Sequence, residues 1–309
     1  MSLPNDIPMI AGNGSRRVLV AGATGRFGGI TDLLLARGHT VRAASRDPAG
    51  PAAARLASLG AEVVGADFND AGSLAAAARG MDAVFASGTA HKAGPGGEER
   101  HGTNLADALL EVGSPHLVFI SGAGADRHTG LALFDAKRAV EQRIAQHGLP
   151  ATVIAPVYLM ENLFNPWNLA ALRGGVLPSP VPPALPLQQV ATADILALAV
   201  LAIERRDVLA GERIEIASDT LTGEAAAVTL THLLGREFTV RQLSGNDIPP
   251  ALAALFEWLE RNPSPADTGA LHKRFPEISW HRFGDWASQE QGRLAETSGT
   301  AAQPTTEHA

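Results

Sequence analysis

Three glycines, Gly22, Gly25 and Gly28, stand between a short apolar run and a longer periodic segment. Such a turn binds the pyrophosphate of a dinucleotide, because its glycines permit a tight turn, a close approach of phosphate to the backbone, and close packing of the next helix. The N-terminus of that helix adds free N–H groups for the phosphates. The spacing is G-x-x-G-x-x-G rather than the G-x-G-x-x-G fingerprint. A glycine-rich turn of another α/β protein is the alternative, but the flanking strand and helix favour nucleotide binding.

Arg46 follows the second predicted strand, where an NAD enzyme carries an acid for the adenosine ribose. The acid Asp47 comes only afterwards. A guanidinium can bind the oxygens of a 2′-phosphate in a bidentate manner. The sequence therefore favours NADP(H) as cofactor, with NAD(H) as the second choice. A solvated arginine at a strand end is the alternative interpretation.

Polar and aromatic side chains also follow the next predicted strands. Asp67 and Phe68 end the third strand, where an acid and an aromatic ring could hold adenine, although an ordinary helix cap is the alternative. The fourth strand ends in Ser87, Gly88 and Thr89, and the fifth strand ends near Ser121. Ligands of open α/β sheets bind at the carboxyl ends of the strands, so we expect these residues to line one site.

The elements that must position these residues alternate along the chain. Apolar runs predict strands at 18–21, 40–45, 62–68, 83–86, 116–122 and 151–155. Helical patterns predict helices at 27–35, 51–59, 73–79, 102–112 and 133–147, with a flexible glycine-rich loop at 91–97. This alternation predicts an α/β fold with a doubly wound parallel sheet of the Rossmann type. Further helices are predicted at 193–204, 222–234 and 251–260, and further strands at 212–217 and 237–243.

Composition excludes several classes of function. The net charge is −7 and no basic cluster is present, which argues against a nucleic-acid surface. The chain has no cysteine, and its histidines lack metal-ligand spacing, so we expect no metal site. The longest apolar run, at 195–203, is too short to span a bilayer, and the first residues do not form a signal peptide. We therefore expect a cytoplasmic protein that does not bind membranes.

Five segments together resemble the NmrA-like group of atypical short-chain dehydrogenase/reductases. They are Val-Leu-Val-Ala-Gly-Ala-Thr-Gly-Arg-Phe-Gly at 18–28, the strand end at 41–47, Phe-Asp-Ala-Lys at 134–137, Thr-Val-Ile-Ala-Pro-Val-Tyr-Leu-Met-Glu-Asn at 152–162, and Ser-Asp-Thr-Leu-Thr-Gly-Glu at 218–224. The resemblance covers about residues 16–287. It accounts for the glycine spacing, which that group uses for NADP(H).

The resemblance also implies a role for each candidate residue. The turn residues Gly22, Thr24, Gly25, Arg26, Phe27 and Gly28 would line the pyrophosphate, and Arg46 would bind the 2′-phosphate. Asp67 and Phe68 would contact adenine. Lys137 would contact the nicotinamide ribose, and the residues near the nicotinamide would be Ser87, Gly88, Thr89, Ser121, Pro156, Val157 and Tyr158. At the end of the sixth strand the family has Arg-Pro, whereas this chain has Ala155-Pro156.

The implied organisation has four parts. Residues 1–15 form a flexible leader, 16–156 an NAD(P)-binding Rossmann domain, and 288–309 a disordered tail. Between them, 157–287 form mainly a smaller α/β lobe for the substrate, with some segments returning to the Rossmann core. Phe164 and Trp167 are the candidates for contact with the substrate.

The chain departs from the wider superfamily at its catalytic centre. Typical members use Ser, Tyr and Lys, with the last two in Tyr-x-x-x-Lys, and the tyrosine acts as the general acid–base. Here Leu133 occupies the tyrosine position before Lys137, and Tyr158 is the only tyrosine of the chain. The catalytic candidates are therefore Lys137, Tyr158 and Ser121. For Tyr158 and Ser121 a packed, structural role is the alternative.

The resemblance implies an NADP(H)-dependent oxidoreductase that transfers hydride to a small flat electrophile such as a quinone, an enone or an imine. A hydroquinone anion can take its proton from water, so the missing tyrosine would cost little. Two alternatives stay open. One is a non-catalytic NAD(P)-sensing regulator with a protein partner, and the other is a tailoring enzyme for polycyclic aromatic natural products. A homodimer also stays open.

Overall fold

The structure is a computed structural model that describes residues 14–245, 247–263 and 266–299, apart from the side chains of residues 90–92. Most of the predicted leader and the last ten residues of the predicted tail lie outside this range. The described residues form two compact units. The first takes the chain up to Pro156 together with Ala193–Ile216 and Arg274–Ser279, and the second takes Val157–Thr192, Ala217–Lys273 and the chain from Trp280 onward.

The first unit is built on a parallel sheet, which within the described residues has seven strands in the order β10-β6-β5-β4-β1-β2-β3. The strands are β1 (Arg17–Ala21), β2 (Thr40–Ser45), β3 (Glu62–Gly65), β4 (Ala83–Ser87), β5 (His116–Ile120), β6 (Ala151–Pro156) and β10 (Arg213–Ile216). Strand order reverses at β1, which lies between β2 and β4. The predicted doubly wound Rossmann sheet is confirmed, and its ligand crevice is expected beside β1.

The central strands are apolar because helices cover both faces of the sheet. Residues 18–20 of β1 are at most 1% exposed. Val20 is level with Ala43 of β2 and with Phe85 of β4. This register brings the carboxyl ends of the three strands to one edge.

The helices of the first unit are α1 (Ile30–Ala36), α2 (Pro51–Ser58), α3 (Ala71–Ala78), α4 (Ala90–Glu111), α5 (Ala132–Gln146), α8 (Arg206–Leu209) and most of α7 (Thr192–Glu204). The predicted flexible loop at 91–97 is wrong, because this segment belongs to α4. The helix is kinked at Gly94, whose φ of 70° is a conformation that glycine adopts readily, and Pro95 begins the next helical stretch. The glycines therefore mark a kink, and the helix continues beyond it.

The second unit has two small sheets. One contains β11 (Asp219–Leu221), β9 (Leu187–Val190) and β7 (Tyr158–Leu159), and the other contains β12 (Thr239–Gln242) and β8 (Val176–Ser179). Its helices are α6 (Leu169–Arg173), α9 (Gly223–Leu234), α10 (Pro250–Arg261), most of α11 (Thr268–Arg274), α12 (Phe283–Gln289) and α13 (Gln291–Ser298), after 3-10 turns at Met160–Phe164 and Pro166–Asn168.

The predicted disordered tail from residue 288 is wrong over α13. Leu294 and Ala295 are 2% and 3% exposed and join an apolar core with Leu230 and Trp286. These two apolar residues, together with Ser298 at 3% exposed, dock a helix whose sequence is otherwise mostly polar. Across the part of the chain that the structure describes, no helix combines the length and the apolar character needed to cross a membrane.

A buried ion cluster ties α1, β2 and α7 together within the first unit. Glu204 accepts hydrogen bonds from Arg37 Nε at 2.6 Å and Nη2 at 2.7 Å, and its Oε1 lies 3.2 Å from His39 Nε2. The backbone N–H of Arg16 donates to His39 Nδ1, so the ring donates from Nε2 to the carboxylate. Although burial opposes ionisation, the partners of Glu204 lower the pKa of its carboxyl group. The cluster lies before β2, away from the carboxyl edge of the sheet.

His116 begins β5 at the opposite edge of the sheet from the candidate site. Its Nε2 lies 3.0 Å from Thr152 Oγ1, which itself donates to the carbonyl of Leu209. The imidazole is therefore a neutral donor. Burial lowers the pKa of His116 to about 4.

We expect His116 to make the folded state sensitive to acid. Between pH 6.5 and about 4 the unfolded chain takes up a proton at His116 that the folded chain does not, so stability is lost as pH falls through this window. The loss should approach about 3 kcal/mol. His116→Gln keeps the donor and removes the titration, and should flatten the curve of unfolding free energy against pH by that amount in urea denaturation. His232→Gln, at an exposed position of α9, is the control. Parallel curves for His116→Gln and the unsubstituted chain would contradict this assignment.

Candidate functional site

The predicted cofactor residues of the first unit follow the carboxyl ends of its strands. The glycine turn follows β1, Arg46 follows β2, Asp67 and Phe68 come after β3, and Gly88 and Thr89 follow β4. Ser87 and Pro156 are the last residues of β4 and β6. Since these strands are parallel, the residues share one edge of the sheet.

The glycine turn is so tight that its backbone leaves no room for side chains at the glycines. The N–H of Gly25 donates to the carbonyl of Gly22 at 2.9 Å, and the N–H of Gly28 donates to the carbonyl of Gly25 at 3.0 Å. Gly22 has a φ of 79°. A Cβ on Gly28 would lie 2.0 Å from the carbonyl oxygen of Ala23. These turns delay the start of α1 to Ile30, three residues after the predicted start, and leave residues 24–26 exposed.

The end of β2 presents Arg46 to solvent, near Asp67. The backbone N–H of Asn69 donates to Asp67 Oδ1 at 2.8 Å, and this bond, with the charge of Arg46, lowers the pKa of the Asp67 carboxyl group. Arg42, on the same strand, is instead bound to Glu62 at 2.9 Å and to backbone carbonyls. Of the two arginines, Arg46 is thus the one exposed at the carboxyl end of β2.

A histidine that we did not predict connects the ends of β3 and β4. His101 of α4 stacks on Phe68 with ring centroids 5.7 Å apart. Its Nε2 donates to Asn69 Oδ1 and its Nδ1 lies 3.0 Å from Thr89 Oγ1, whose hydroxyl then donates to the ring. Burial is the main cause that lowers the pKa of His101, and the nearby Arg100 lowers it further. The imidazole is therefore neutral at pH 7 and holds Phe68 and Thr89 in one arrangement.

Lys137 reaches across the ends of β5 and β4. A Cβ on Gly122 would lie 3.3 Å from Lys137 Cδ, and one on Gly88 would lie 2.6 Å from Lys137 Nζ. The ammonium group donates to Glu98 Oε1 at 2.6 Å. The lysine side chain is 18% exposed, whereas that of Glu98 is 1% exposed.

Ser121 is held by a second ionic network. Its hydroxyl donates to Glu141 Oε1, and Glu141 Oε2 accepts from Arg213 Nε at 3.0 Å. The same guanidinium donates to the carbonyl of Gly122 and pairs with Glu215. The proton of the Ser121 hydroxyl is thus engaged, and its oxygen retains only the capacity to accept a hydrogen bond.

The remaining candidates lie in the second unit, beginning with Val157 and Tyr158. Tyr158 packs edge-on against Phe256 at 6.3 Å, in a small apolar cluster that also contains Trp167 and Leu252 of α10. Phe164 is engaged differently, because its ring packs at a tilt against Trp286, with ring centroids 5.8 Å apart, and its centroid lies 3.6 Å from the guanidinium carbon of Arg293. Trp167 and Tyr158 thus share one cluster, and Phe164 packs at the main core of the unit.

Sequence reasoning missed Glu98, His101 and Asn104, which follow one another at intervals of three along α4. Each contacts the carboxyl edge, and Asn104 Nδ2 donates to the carbonyl of Phe68 at 2.8 Å. Polar residues at i, i+3 and i+6 in the segment after β4 indicate a helix that presents these side chains on neighbouring positions of one face. The glycine-rich start of the segment hid that signal. Glu141 and Arg213 were missed because their contacts join distant parts of the chain.

The close contacts of Gly88 predict a specific cost for a side chain there. A Cβ would lie 2.0 Å from Glu98 Oε1, so Gly88→Ala should lower the free energy of unfolding by about 1–3 kcal/mol. Gly96→Ala is the matched control, because Gly96 is an exposed glycine of α4 with nothing within 4 Å of its Cβ position. It should leave stability unchanged or raise it by up to about 1 kcal/mol. Equal effects in urea denaturation would show that Gly88 is not constrained.

Comparison with known proteins was made by sequence and by structure. The model of the NmrA-like family matches residues 14–258. The NmrA-like family domain-containing oxidoreductase hkm9 of Aspergillus hancockii is 33% identical over 174 residues, which are 52% of this chain and 51% of that protein. The chain thus spans about half the length of the curated relatives it matches.

Solved structures share the fold. The negative transcriptional regulator NmrA in complex with NADP has a TM-score of 0.76 at 20% identity, over 93% of this chain and 98% of that one. Triphenylmethane reductase of Citrobacter sp. complexed with NADP(H) has a TM-score of 0.73 at 20% identity, over 88% and 99%. The NADPH-dependent quinone oxidoreductase QOR2 of Escherichia coli, complexed with NADPH, has a TM-score of 0.66 at 22% identity, over 92% and 95%.

The range matched by the family model begins before β1 and extends into α10. It includes the glycine turn, Arg46, Lys137 and the three aromatic residues of the apolar cluster, Tyr158, Trp167 and Phe256. The sequence resemblance noted above is therefore confirmed over most of the chain: this protein belongs to the NmrA-like family.

Proposed function

We propose that this protein is an NADP(H)-dependent oxidoreductase that reduces a small flat electrophile of the quinone, enone or imine type. The observation that carries the proposal is the position of Arg46, exposed at the end of β2 where an NAD enzyme would carry an acid. The glycine turn at the end of β1 and the lysine at the end of β4 flank the place where strand order reverses. These three features support one extended nucleotide site in the first unit.

The residues of this edge fit the successive parts of NADPH. Exposed backbone at residues 24–26 suits the pyrophosphate, and the guanidinium of Arg46 suits the 2′-phosphate. Phe68, backed by His101, offers a ring for adenine. Lys137 suits the ribose hydroxyls next to the nicotinamide. NAD(H) would lose the contact with Arg46 and keep the others.

NADPH supplies a hydride when bound, and the reduced substrate then needs a proton. The hydroxyl hydrogen of Ser121 is engaged by Glu141, so Ser121 is placed to accept a hydrogen bond and not to donate one. Lys137 has three N–H donors, and one of them is on Glu98. Lys137 and Tyr158 are the two candidates for the proton donor, and water suffices for a hydroquinone anion.

The substrate class is supported by the relatives and by the second unit. Two structural neighbours are reductases, of triphenylmethane dyes and of quinones, and a curated relative is named an oxidoreductase. The cluster around Tyr158 and Trp167 offers aromatic rings, which bind a flat organic molecule well. We propose that this cluster selects the substrate, and that Phe164, which packs at the main core of the unit, supports the lobe.

The choice of cofactor is tested by Arg46→Ala. Loss of a charge-assisted contact with the 2′-phosphate should weaken NADPH binding by about 10–100-fold and leave NADH binding unchanged. Arg79→Ala is the control, because Arg79 is an exposed arginine paired with Glu111 at 3.6 Å. Both affinities can be measured by nicotinamide fluorescence. Equal losses for NADPH and NADH would remove Arg46 from the site.

Turnover is tested by the oxidation of NADPH in the presence of a panel of quinones, enones and imines. We expect NADPH oxidation with at least one of these substrate classes. One of the two variants, Lys137→Met or Tyr158→Phe, removes the proton donor. That variant should still bind NADPH but reduce the substrate at least about 100-fold more slowly. With quinones that take their proton from water, both variants should keep most of the rate. Tight NADPH binding without NADPH oxidation by any member of the panel would contradict the proposed enzymatic activity and favour a regulatory protein.

A further inference from the structure

Glu98 is a buried acid that the proposed reaction does not itself require. It lies on α4, four residues after the kink at Gly94. Gly88 leaves room for it, because a Cβ on Gly88 would lie 2.0 Å from its Oε1 and the carboxylate would have to shift. Its other oxygen, Oε2, is buried and has no hydrogen-bond partner among the described residues.

This arrangement is poorly explained by stability alone. A buried ion pair contributes little more than well-packed apolar residues of similar volume, and an unpartnered buried oxygen is unfavourable. The pair does, however, fix the position of the Lys137 side chain. Its stem lies against Gly122, with the Cβ position of that glycine 3.5 Å from Cε, and its ammonium is held at 2.6 Å by Glu98.

The two members of the pair differ in exposure. The Glu98 side chain is 1% exposed and the Lys137 side chain is 18% exposed. Of the pair, Lys137 is therefore the member that a ligand can reach from solvent. A free lysine loses the freedom of several side-chain bonds when it binds a ligand, and a lysine that is already ordered does not. Glu98 thus orders the Lys137 side chain before any ligand binds.

We propose that Glu98 is a positioning residue that holds the Lys137 ammonium at the end of β4 for the nicotinamide half of NADPH. The inference rests on the proposed function for the identity of the ligand. Glu98 acts on the nucleotide only through Lys137, and it has no part in binding the adenine half. Loss of this role should therefore weaken binding of the nicotinamide half alone, whereas a general effect on folding would weaken binding of both halves.

The test measures affinity without turnover. Glu98→Gln should weaken NADPH binding by about tenfold, a change of about 1.4 kcal/mol, while binding of adenosine 2′,5′-bisphosphate, which lacks the nicotinamide half, stays within about twofold. Lys137→Met should show the same selectivity. In the double variant NADPH affinity should equal that of Lys137→Met alone, because the two residues act as one unit.

Glu204→Gln is the matched control, because it removes a carboxylate that is 6% exposed and bound to an arginine of the same unit, away from the carboxyl edge. It should lower stability and leave both affinities unchanged. Unchanged NADPH affinity in Glu98→Gln, equal losses for the two ligands, or additive losses in the double variant would each overturn the proposal.

A measurement without nucleotide separates this inference from the proposed function. Mild acylation of the amine, followed by mass spectrometry of the peptide that contains Lys137, should proceed several-fold faster in Glu98→Gln because the hydrogen bond to the carboxylate is gone. Glu204→Gln should label at the rate of the unsubstituted chain. If NADPH is bound but never oxidised, the proposed enzymatic activity is wrong, whereas the affinity pattern would still support the positioning role of Glu98. If NADPH is not bound at all, the ligand assignment fails, and equal acylation rates would also remove the role of Glu98.

Discussion

The close approach of Gly28 to the carbonyl of Ala23 is the constraint on which the site depends. Since a Cβ at residue 28 would lie 2.0 Å from that oxygen, any side chain there would push α1 away from the end of β1. With glycine present, Ile30 at the start of α1 is fully buried and the turn before it stays exposed. β1 is the strand at which the strand order reverses, so this turn opens beside the crevice of the sheet.

Buried charges then fix the side chains around that crevice. Glu98 holds Lys137, and Glu141, with Arg213, holds Ser121 and the backbone after β5. The first pair joins α4 to α5 beside the end of β4, and the second joins α5 and β10 to the residues that follow β5. Their net contribution to stability is small, because desolvation offsets much of the attraction. Their effect is geometric: the end of each strand presents one side chain in one orientation.

Sequence alone predicted the sheet well, because each strand from β1 to β6 is a short apolar run that ends in small or polar residues. A strand end also indicated Arg46, since a side chain that follows such a run reaches the carboxyl edge. Lys137 lies on α5 and was expected only from the family resemblance. The segment at 91–97 was misjudged because Gly94 and Pro95 are compatible with either a loop or a kinked helix. Glu98 could not be assigned, since its contact with Lys137 spans 39 residues of sequence. In the second unit β12 lies within the strand predicted at 237–243, whereas the other short strands and α13 depend on tertiary packing that their own composition does not indicate.

The path of the chain has a consequence for anyone who wishes to isolate either unit. The backbone passes between the units after Pro156, Thr192, Ile216, Lys273 and Ser279, so neither is a continuous segment of polypeptide. A fragment that stopped at Pro156 would lack β10, and the hydrogen-bonding groups of β6 that pair with it would become an open sheet edge, a common starting point for aggregation. Dissection of this protein therefore calls for internal splicing or circular permutation, because truncation at a single point never yields either unit complete and alone.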